Sequence, residues 1–292
     1  MAKKTIAEHL QMHKLDLDQL KWKVGKLWEN KSNFPTNKVE VYEAQEIIII
    51  TLQALDQGLL SVMQKEANNK WQVNIWIKQA ILLSFIFLDN QLIKGNSNDS
   101  FWFDKVRNKF ATWQQLEFQE AKIRTVPQSY VRFSAFIGAN SIIMPSFINV
   151  GAYVNEGVMI DSYATIGSCC YIGKKCHISS GVVIGGVLEP LQAAPVVIED
   201  YCFVGANSTI TEGIIIKEGS VIGNGVHLSG STKIYDRQSK NIYYGEVPAF
   251  SVVVSGSLPH DDGTFHTNAA IIIKKVDEKT KEKTSINELL RA

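Results

Sequence analysis

A chain of 292 residues can form two domains or one elongated one, and 45% hydrophobic with 20% charged residues is the make-up of a globular protein. Lys and Arg number 30 against 29 Asp and Glu, a net charge of +1, so no broad basic surface exists for nucleic acid or an anionic membrane. The longest apolar run, Ala80 to Leu88, is far below the roughly 20 residues of a membrane span, and the first residues lack a secretory core, so a cytoplasmic location is expected.

Residues 1–123 read as an α-helical N-terminal domain. Apolar residues fall at helical spacing in TIAEHLQMHKLDLDQLKWKVGKLW and again in WQVNIWIKQAILLSFIFLDNQLIKG. GNSNDS then reads as a loop before the aromatic stretch FWFDKV.

From 124 to 258 the period changes. Phe136, Ile142, Ile148, Val154, Ile160, Ile166, Ile172, Ile178 and Ile184 stand six apart, and a second train follows at Ile198, Val204, Ile210, Ile216, Ile222, Leu228 and Ile234. Six is a multiple of the strand period of two but not of 3.6, so these residues share one face only if the chain forms strands. Four positions after an anchor, the residue of matching parity is mostly small, as at Cys170, Cys176, Cys202, Ser208 and Ser220. Gly often follows the anchor directly, at Gly167, Gly173, Gly185, Gly205 and Gly223, which suits a tight corner. Short strands and corners at this period wind into a three-sided prism filled by stacked aliphatic rungs; with eighteen residues to a turn, the two trains make about five coils. The four cysteines, Cys169, Cys170, Cys176 and Cys202, form no C-x-x-C pair and read as reduced structural thiols.

Between Ile184 and Ile198 the count runs two residues over two hexads, so Gly186 to Pro195 is expected to loop out of the coil. Residues 259–292 supply a polar loop, HDDGTFHTN, an apolar strand, AAIIIKKV, and a charged tail ending in INELL, enough for a strand and short helix capping the far end.

The strings GGVLEPLQAAP, MIDSYATIGSC, MPSFINVGAYVNEG, STKIYDR and YGEVPAFSVVVSGSLP closely resemble the tetrahydrodipicolinate N-succinyltransferase family. The likeness extends to WIKQAILLSF and FDKVRNKF before the repeat and to KKVDEKTKEKTSINELLR after it. It implies a mainly β fold, the left-handed parallel β-helix of hexapeptide-repeat acyltransferases. It also implies a homotrimer with sites in the grooves between subunits, and the ejected loop reaching over the site. The implied reaction is transfer of a succinyl group from succinyl-CoA, a co-substrate rather than a tightly bound cofactor, to the amine of ring-opened tetrahydrodipicolinate.

A thioester is already activated, so the transfer needs a neutral amine, oxyanion donors and alignment rather than an enzyme nucleophile. Asp161 directly follows the anchor Ile160 and points outward by strand parity, and it matches the family's acceptor-binding acid; the plain alternative is turn geometry. Arg124 matches the family's substrate-binding arginine for a carboxylate, against a solvated surface Arg. Arg132 in YVRFSAF is a weaker second candidate, with no role assigned to it. His177, before the anchor Ile178, is the rival base, with an ordinary pKa suited to proton transfer. Glu189 in the loop meets substrate or simply solvates the loop, and Gly185 with Gly186 either admits the pantetheine arm or turns a corner. Many family members carry a Glu where this chain has Thr209. The coils offer only His177 and His227, too few for a three-histidine metal site, so no metal is expected. Two readings stay open beside succinyl transfer: an acetyl-CoA-dependent transferase and a non-catalytic β-solenoid.

Overall fold

Each hexad of the repeat puts two residues in a strand and the rest in a corner. In a computed structural model describing residues 5–32, 38–94, 101–260 and 262–277, Met159–Ile160, Thr165–Ile166 and Tyr171–Ile172 lie in three different sheets. The next strand, His177–Ile178, returns to pair in parallel with Met159–Ile160. Two of the sheets hold six strands each and the third ten, so the coils number six rather than five. The extra coil comes from Arg124–Thr125 and Tyr130–Val131, which precede the first anchor of the apolar trains, and from Glu246–Val247, which follows them.

Rungs Val154, Ile160, Ile166, Ile172, Ile178 and Ile184 are all fully buried and belong to one continuous core. The small positions between them hydrogen-bond as well as fit. Cys170 Sγ donates to Gly185 O at 3.1 Å, Cys176 Sγ to Glu199 O at 3.0 Å, Cys202 Sγ to Lys217 O at 3.2 Å, and Ser208 Oγ to Gly223 O at 2.8 Å. A small donor at this place satisfies a corner carbonyl that lies outside the strand ladder.

The corners are not turned by the glycines that follow the rungs. The left-handed residue is the third after the rung, and it is often not glycine: Tyr163 (φ 62°), Cys169 (66°), Lys175 (54°) and Asn207 (57°). The glycine directly after the rung answers to close approach instead. A Cβ on Gly173 would stand 2.6 Å from the Asp200 nitrogen, and one on Gly205 2.6 Å from that of Asn224.

Three departures from the sequence reading concern phase. At the first two positions of the apolar train the inward residues are Ile137 and Ile143, not Phe136 and Ile142; Phe136 faces outward, where its ring fills the space beside Gly58. The step from Ile143 to Ile148 is five residues, and partners across it (Ile142 opposite Met159) stand 17 apart against 18 elsewhere (Tyr153 opposite Tyr171). At the ejected loop, partners are 26 apart (Tyr171 opposite Val197), so one side of the prism carries eight extra residues; two hexads plus two was the wrong division. A second excursion went unread: Ile215 pairs with Glu246, 31 positions on, and the hairpin of Lys233–Asp236 with Ile242–Tyr243 lies between. Ile234 is therefore buried in the core without being a rung.

Both ends of the prism are closed. Phe110, Trp113 and Ala121 pack over the first coil, and Ala270 and Ile272, from a strand His266–Lys275 antiparallel to Ser251–Pro259, close the other. Ser251–Pro259 runs through position 258, so last coil and cap share one element. The INELL segment and the GNSNDS loop lie outside the described residues.

Helices α1 (Ile6–Gln11), α2 (Leu17–Glu29), α3 (Lys38–Asp56) and α4 (Ile75–Phe87) make the N-terminal bundle. Reciprocal capping boxes start the first two, Thr5 with Glu8 and Asp16 with Gln19. The ends of WQVNIWIKQAILLSFIFLDNQLIKG are strands rather than helix: Trp71–Val73 pairs with Met63–Lys65, and Gln91–Lys94 with Phe101–Asp104. The bundle lies on the sheet that contains Tyr171. Trp71 tilts against Tyr171 at 4.7 Å, and Glu199 accepts from Lys65 Nζ at 2.8 Å and Trp71 Nε1 at 2.9 Å. Among the described residues no helix is long and apolar enough to cross a membrane.

Candidate active site

Strand pairing lines up Arg124, Ile142, Met159, His177 and Phe203 on five neighbouring strands of the ten-stranded sheet. Their chain neighbours Thr125, Ile143, Ile160, Ile178 and Val204 occupy the inward register, so this row faces out. Asp161, two residues after Met159, shares its side. Arg124 and His177 are separated by three strand spacings of about 4.8 Å, roughly 14 Å along the sheet.

Asp161 is half-buried. Its N–H donates to Ile178 O at 2.8 Å, which anchors the backbone, and its Oδ1 accepts from Ser162 N–H at 2.7 Å. Among the described residues nothing else donates to this carboxylate. His177 rests against the Phe203 ring at 4.9 Å. Burial pushes its pKa below the ordinary 6.5, and the Asp161 carboxylate pulls the other way. Near neutral pH the imidazole is uncharged and able to accept a proton.

The other candidates lie elsewhere. Arg132 is engaged within its own chain, with Asp104 at 2.8 Å and Asn149 at 3.1 Å. Thr209 lies in the neighbouring sheet, in an outward row of Phe147, Thr165, Val183 and His227 that contains no carboxylate. Glu189 is exposed on the ejected loop, which leaves the prism at the corner after Val183–Ile184, a different corner from the one that Asp161 opens. At Gly186 a Cβ would lie 2.0 Å from Ser168 N, and at Gly185 2.9 Å from Thr211 Cγ2, so the chain's own packing calls for both glycines.

One residue the sequence reading passed over is prominent here. Lys78, in the most apolar helix, is fully buried and donates from Nζ to three loop carbonyls: Pro190 at 3.0 Å, Leu191 at 2.9 Å and Ala193 at 3.0 Å. A lysine inside IWIKQAILLSF was the available signal, since an apolar helix keeps a cation only where acceptors meet it.

Known proteins agree with this architecture along the chain. Residues 19–87 match the family described as tetrahydrodipicolinate N-succinyltransferase N-terminal, 151–186 the bacterial transferase hexapeptide, and 195–229 the hexapeptide repeat of succinyl-transferase. A Bartonella bacilliformis protein named 2,3,4,5-tetrahydropyridine-2,6-dicarboxylate N-succinyltransferase is 50% identical over 282 residues, covering 94% of this chain and 99% of that one. Proteins of the same name from Wolbachia pipientis and Neisseria gonorrhoeae are 50% and 53% identical, over 95% and 90% of this chain and 100% and 96% of their own. On half of its residues over nearly its whole length, the chain belongs to the tetrahydrodipicolinate N-succinyltransferase family, and its prism is the left-handed β-helix of the hexapeptide acyltransferases.

Proposed function

We propose that this chain is the succinyltransferase of the succinylase branch of diaminopimelate and lysine biosynthesis, working as a homotrimer in the groove beside the ten-stranded sheet. The acceptor nitrogen attacks the thioester carbonyl of succinyl-CoA, the carbonyl electrons move onto oxygen, and their return expels the CoA thiolate. The proton lost by nitrogen passes through the enzyme to the leaving sulfur. Asp161 receives and orients the amine, His177 in its neutral form helps carry the proton, and Arg124 takes an acceptor carboxylate. The observation that supports this reading is the placing of Asp161, His177 and Arg124 on one outer face. Thiol released from succinyl-CoA, counted with and without tetrahydrodipicolinate, tests it directly. Acceptor-dependent release is expected, faster with succinyl-CoA than with acetyl-CoA; a stronger response to acetyl-CoA would replace the donor, and none to either would leave a scaffold. Light scattering should give three times 32.6 kDa.

The lowered pKa of His177 sets a pH dependence. Its folded value lies below its unfolded one, so the unfolded chain binds more protons between the two; stability is complete above pH 6.5 and declines as pH falls. The acid limb of kcat/KM should likewise lie below pH 6.5. His177→Gln should lower kcat/KM by about 10²-fold, the low end of what a positioned proton carrier supplies, and flatten that limb. An acid limb unchanged in the variant would take His177 out of proton transfer.

A further inference from the structure

The oxygen of an attacked thioester gathers negative charge, and it needs an uncommitted hydrogen-bond donor that stands clear of the Asp161 carboxylate. The corner that Asp161 opens contains one. Turns stack there on successive coils: Asp161 to Ala164, Ser179 to Val182, and Gly205 to Ser208. In each, the fourth residue's N–H donates to the first residue's carbonyl at 3.3 Å, and the third residue is left-handed: Tyr163 (φ 62°), Gly181 (69°) and Asn207 (57°). This is the type II turn, whose second residue keeps its N–H out of the closing bond.

In the turns on either side that N–H is taken. Ser162 N–H donates to Asp161 Oδ1 at 2.7 Å, and Ala206 N–H to Asn224 Oδ1 at 3.0 Å. Ser180 has neither kind of acceptor: Ser179 stands where Asp161 stands one coil before, and the residue one coil on is Ala206 rather than an asparagine. Among the described residues nothing accepts from Ser180 N–H. The residue is half-buried, and its turn is fixed against that of Asp161, because Ser180 Oγ and Gly181 N–H both donate to Ser162 O, at 2.8 and 2.9 Å. An unspent backbone donor thus sits one coil spacing, about 4.8 Å, beyond the Asp161 turn, at the end of the strand that carries His177.

We propose that the Ser180 N–H is an oxyanion donor for acyl transfer. As the acceptor nitrogen forms the C–N bond, the carbonyl π pair moves onto oxygen and this N–H meets it. When the pair returns, the C–S bond breaks, and sulfur leaves with its electrons and takes the proton that nitrogen has lost. The amine at Asp161 and the oxygen at Ser180 lie on successive coils, so the new charge forms away from the carboxylate. This rests on the reading of the chain as a succinyl-CoA-dependent transferase.

Proline is favoured at the second position of a type II turn, and Pro127 already occupies it earlier in the same corner, before the left-handed Gln128. Ser180→Pro therefore removes the N–H from a backbone that accepts the ring. Its kcat should fall about 10²- to 10³-fold with KM for succinyl-CoA within about threefold, the mark of a bond made only in the transition state. Ser180→Ala keeps the N–H and loses the hydroxyl's bond to Ser162, so its fall should be about tenfold smaller or less. Ala206→Pro puts the same ring one coil on and should hold kcat within about threefold. Ala206→Asn offers Ser180 N–H the acceptor that Asn224 gives Ala206, and should lower kcat about tenfold or more without a proline. A loss in Ser180→Pro no greater than in Ser180→Ala, or matched in Ala206→Pro, would overturn the assignment. Should Ser180→Pro not fold, wild-type kcat in Ala206→Asn would overturn it. Wild type that releases no thiol from succinyl-CoA or acetyl-CoA would instead sink the functional reading, and the assignment with it.

Discussion

Asp161→Asn is expected to lower kcat/KM by about 10² to 10⁴, the range that a positioned proton acceptor supplies, while leaving the prism and its assembly intact. The substitution is nearly isosteric. The one hydrogen bond that the side chain makes among the described residues, from Ser162 N–H at 2.7 Å, survives on the asparagine oxygen, and the backbone bond to Ile178 is untouched. The substitution removes the negative charge beside His177 and, on the proposed reading, beside the acceptor amine. Losing that charge also leaves burial unopposed at His177, so the imidazole pKa should fall further. The measurements are steady-state kinetics and an NMR titration of the histidine. A rate within about threefold of wild type would remove Asp161 from the mechanism, whatever the titration showed.

The largest single loss of stability is expected from Asp56→Ala, about 3 to 5 kcal/mol by chemical denaturation, because it strands a buried cation. Lys109, 4% exposed, pairs with Asp56 Oδ2 at 2.8 Å and donates to the Asp56 carbonyl at 2.8 Å, while Asp56 Oδ1 accepts from Ser134 N–H at 3.1 Å. The end of α3 is joined in this way to the start of the prism. Burial already lowers the Lys109 pKa and Asp56 holds it up, so the variant should let it drop further. Between the folded value and about 10.4 the unfolded chain then binds the extra proton, and stability must rise with pH across that window. The deficit should therefore shrink in alkaline solution. A deficit independent of pH would mean that lost packing, not a stranded charge, is responsible.

The rungs were legible because a six-residue period leaves few alternatives: from Val154 to Ile184 every inward residue agrees with the sequence reading. Phase failed where strand residues on both sides are apolar. Phe136-Ile137 and Ile142-Ile143 each offer two candidates, and the choice is made by neighbours far along the chain, such as Gly58 beside the Phe136 ring. Alternation could place Asp161 and His177 outside the prism, but it could not say that they share a face with Arg124. That follows from strand pairing across 17 or 18 positions, the shorter interval arising in the corner between Ile143 and Phe147. The excursion after Lys233 was hidden by Ile234, which keeps the period and the burial of a rung while its strand pairs with the closing hairpin. The partners of Lys78 and Lys109 are distant in sequence, and a lone lysine in an apolar segment signals only that partners exist.

The way the four cysteines are built in has a consequence for an enzyme whose product carries a sulfhydryl. All four are buried, three with their sulfur turned into the rungs, and burial pushes the pKa of Cys169, Cys170 and Cys176 up, so the reactive anion is scarce at physiological pH. Coenzyme A, as it accumulates or oxidises, meets no partner on the folded surface with which to form a mixed disulfide. A colorimetric disulfide reagent added to the native protein should register the released coenzyme and almost nothing from the catalyst until it unfolds.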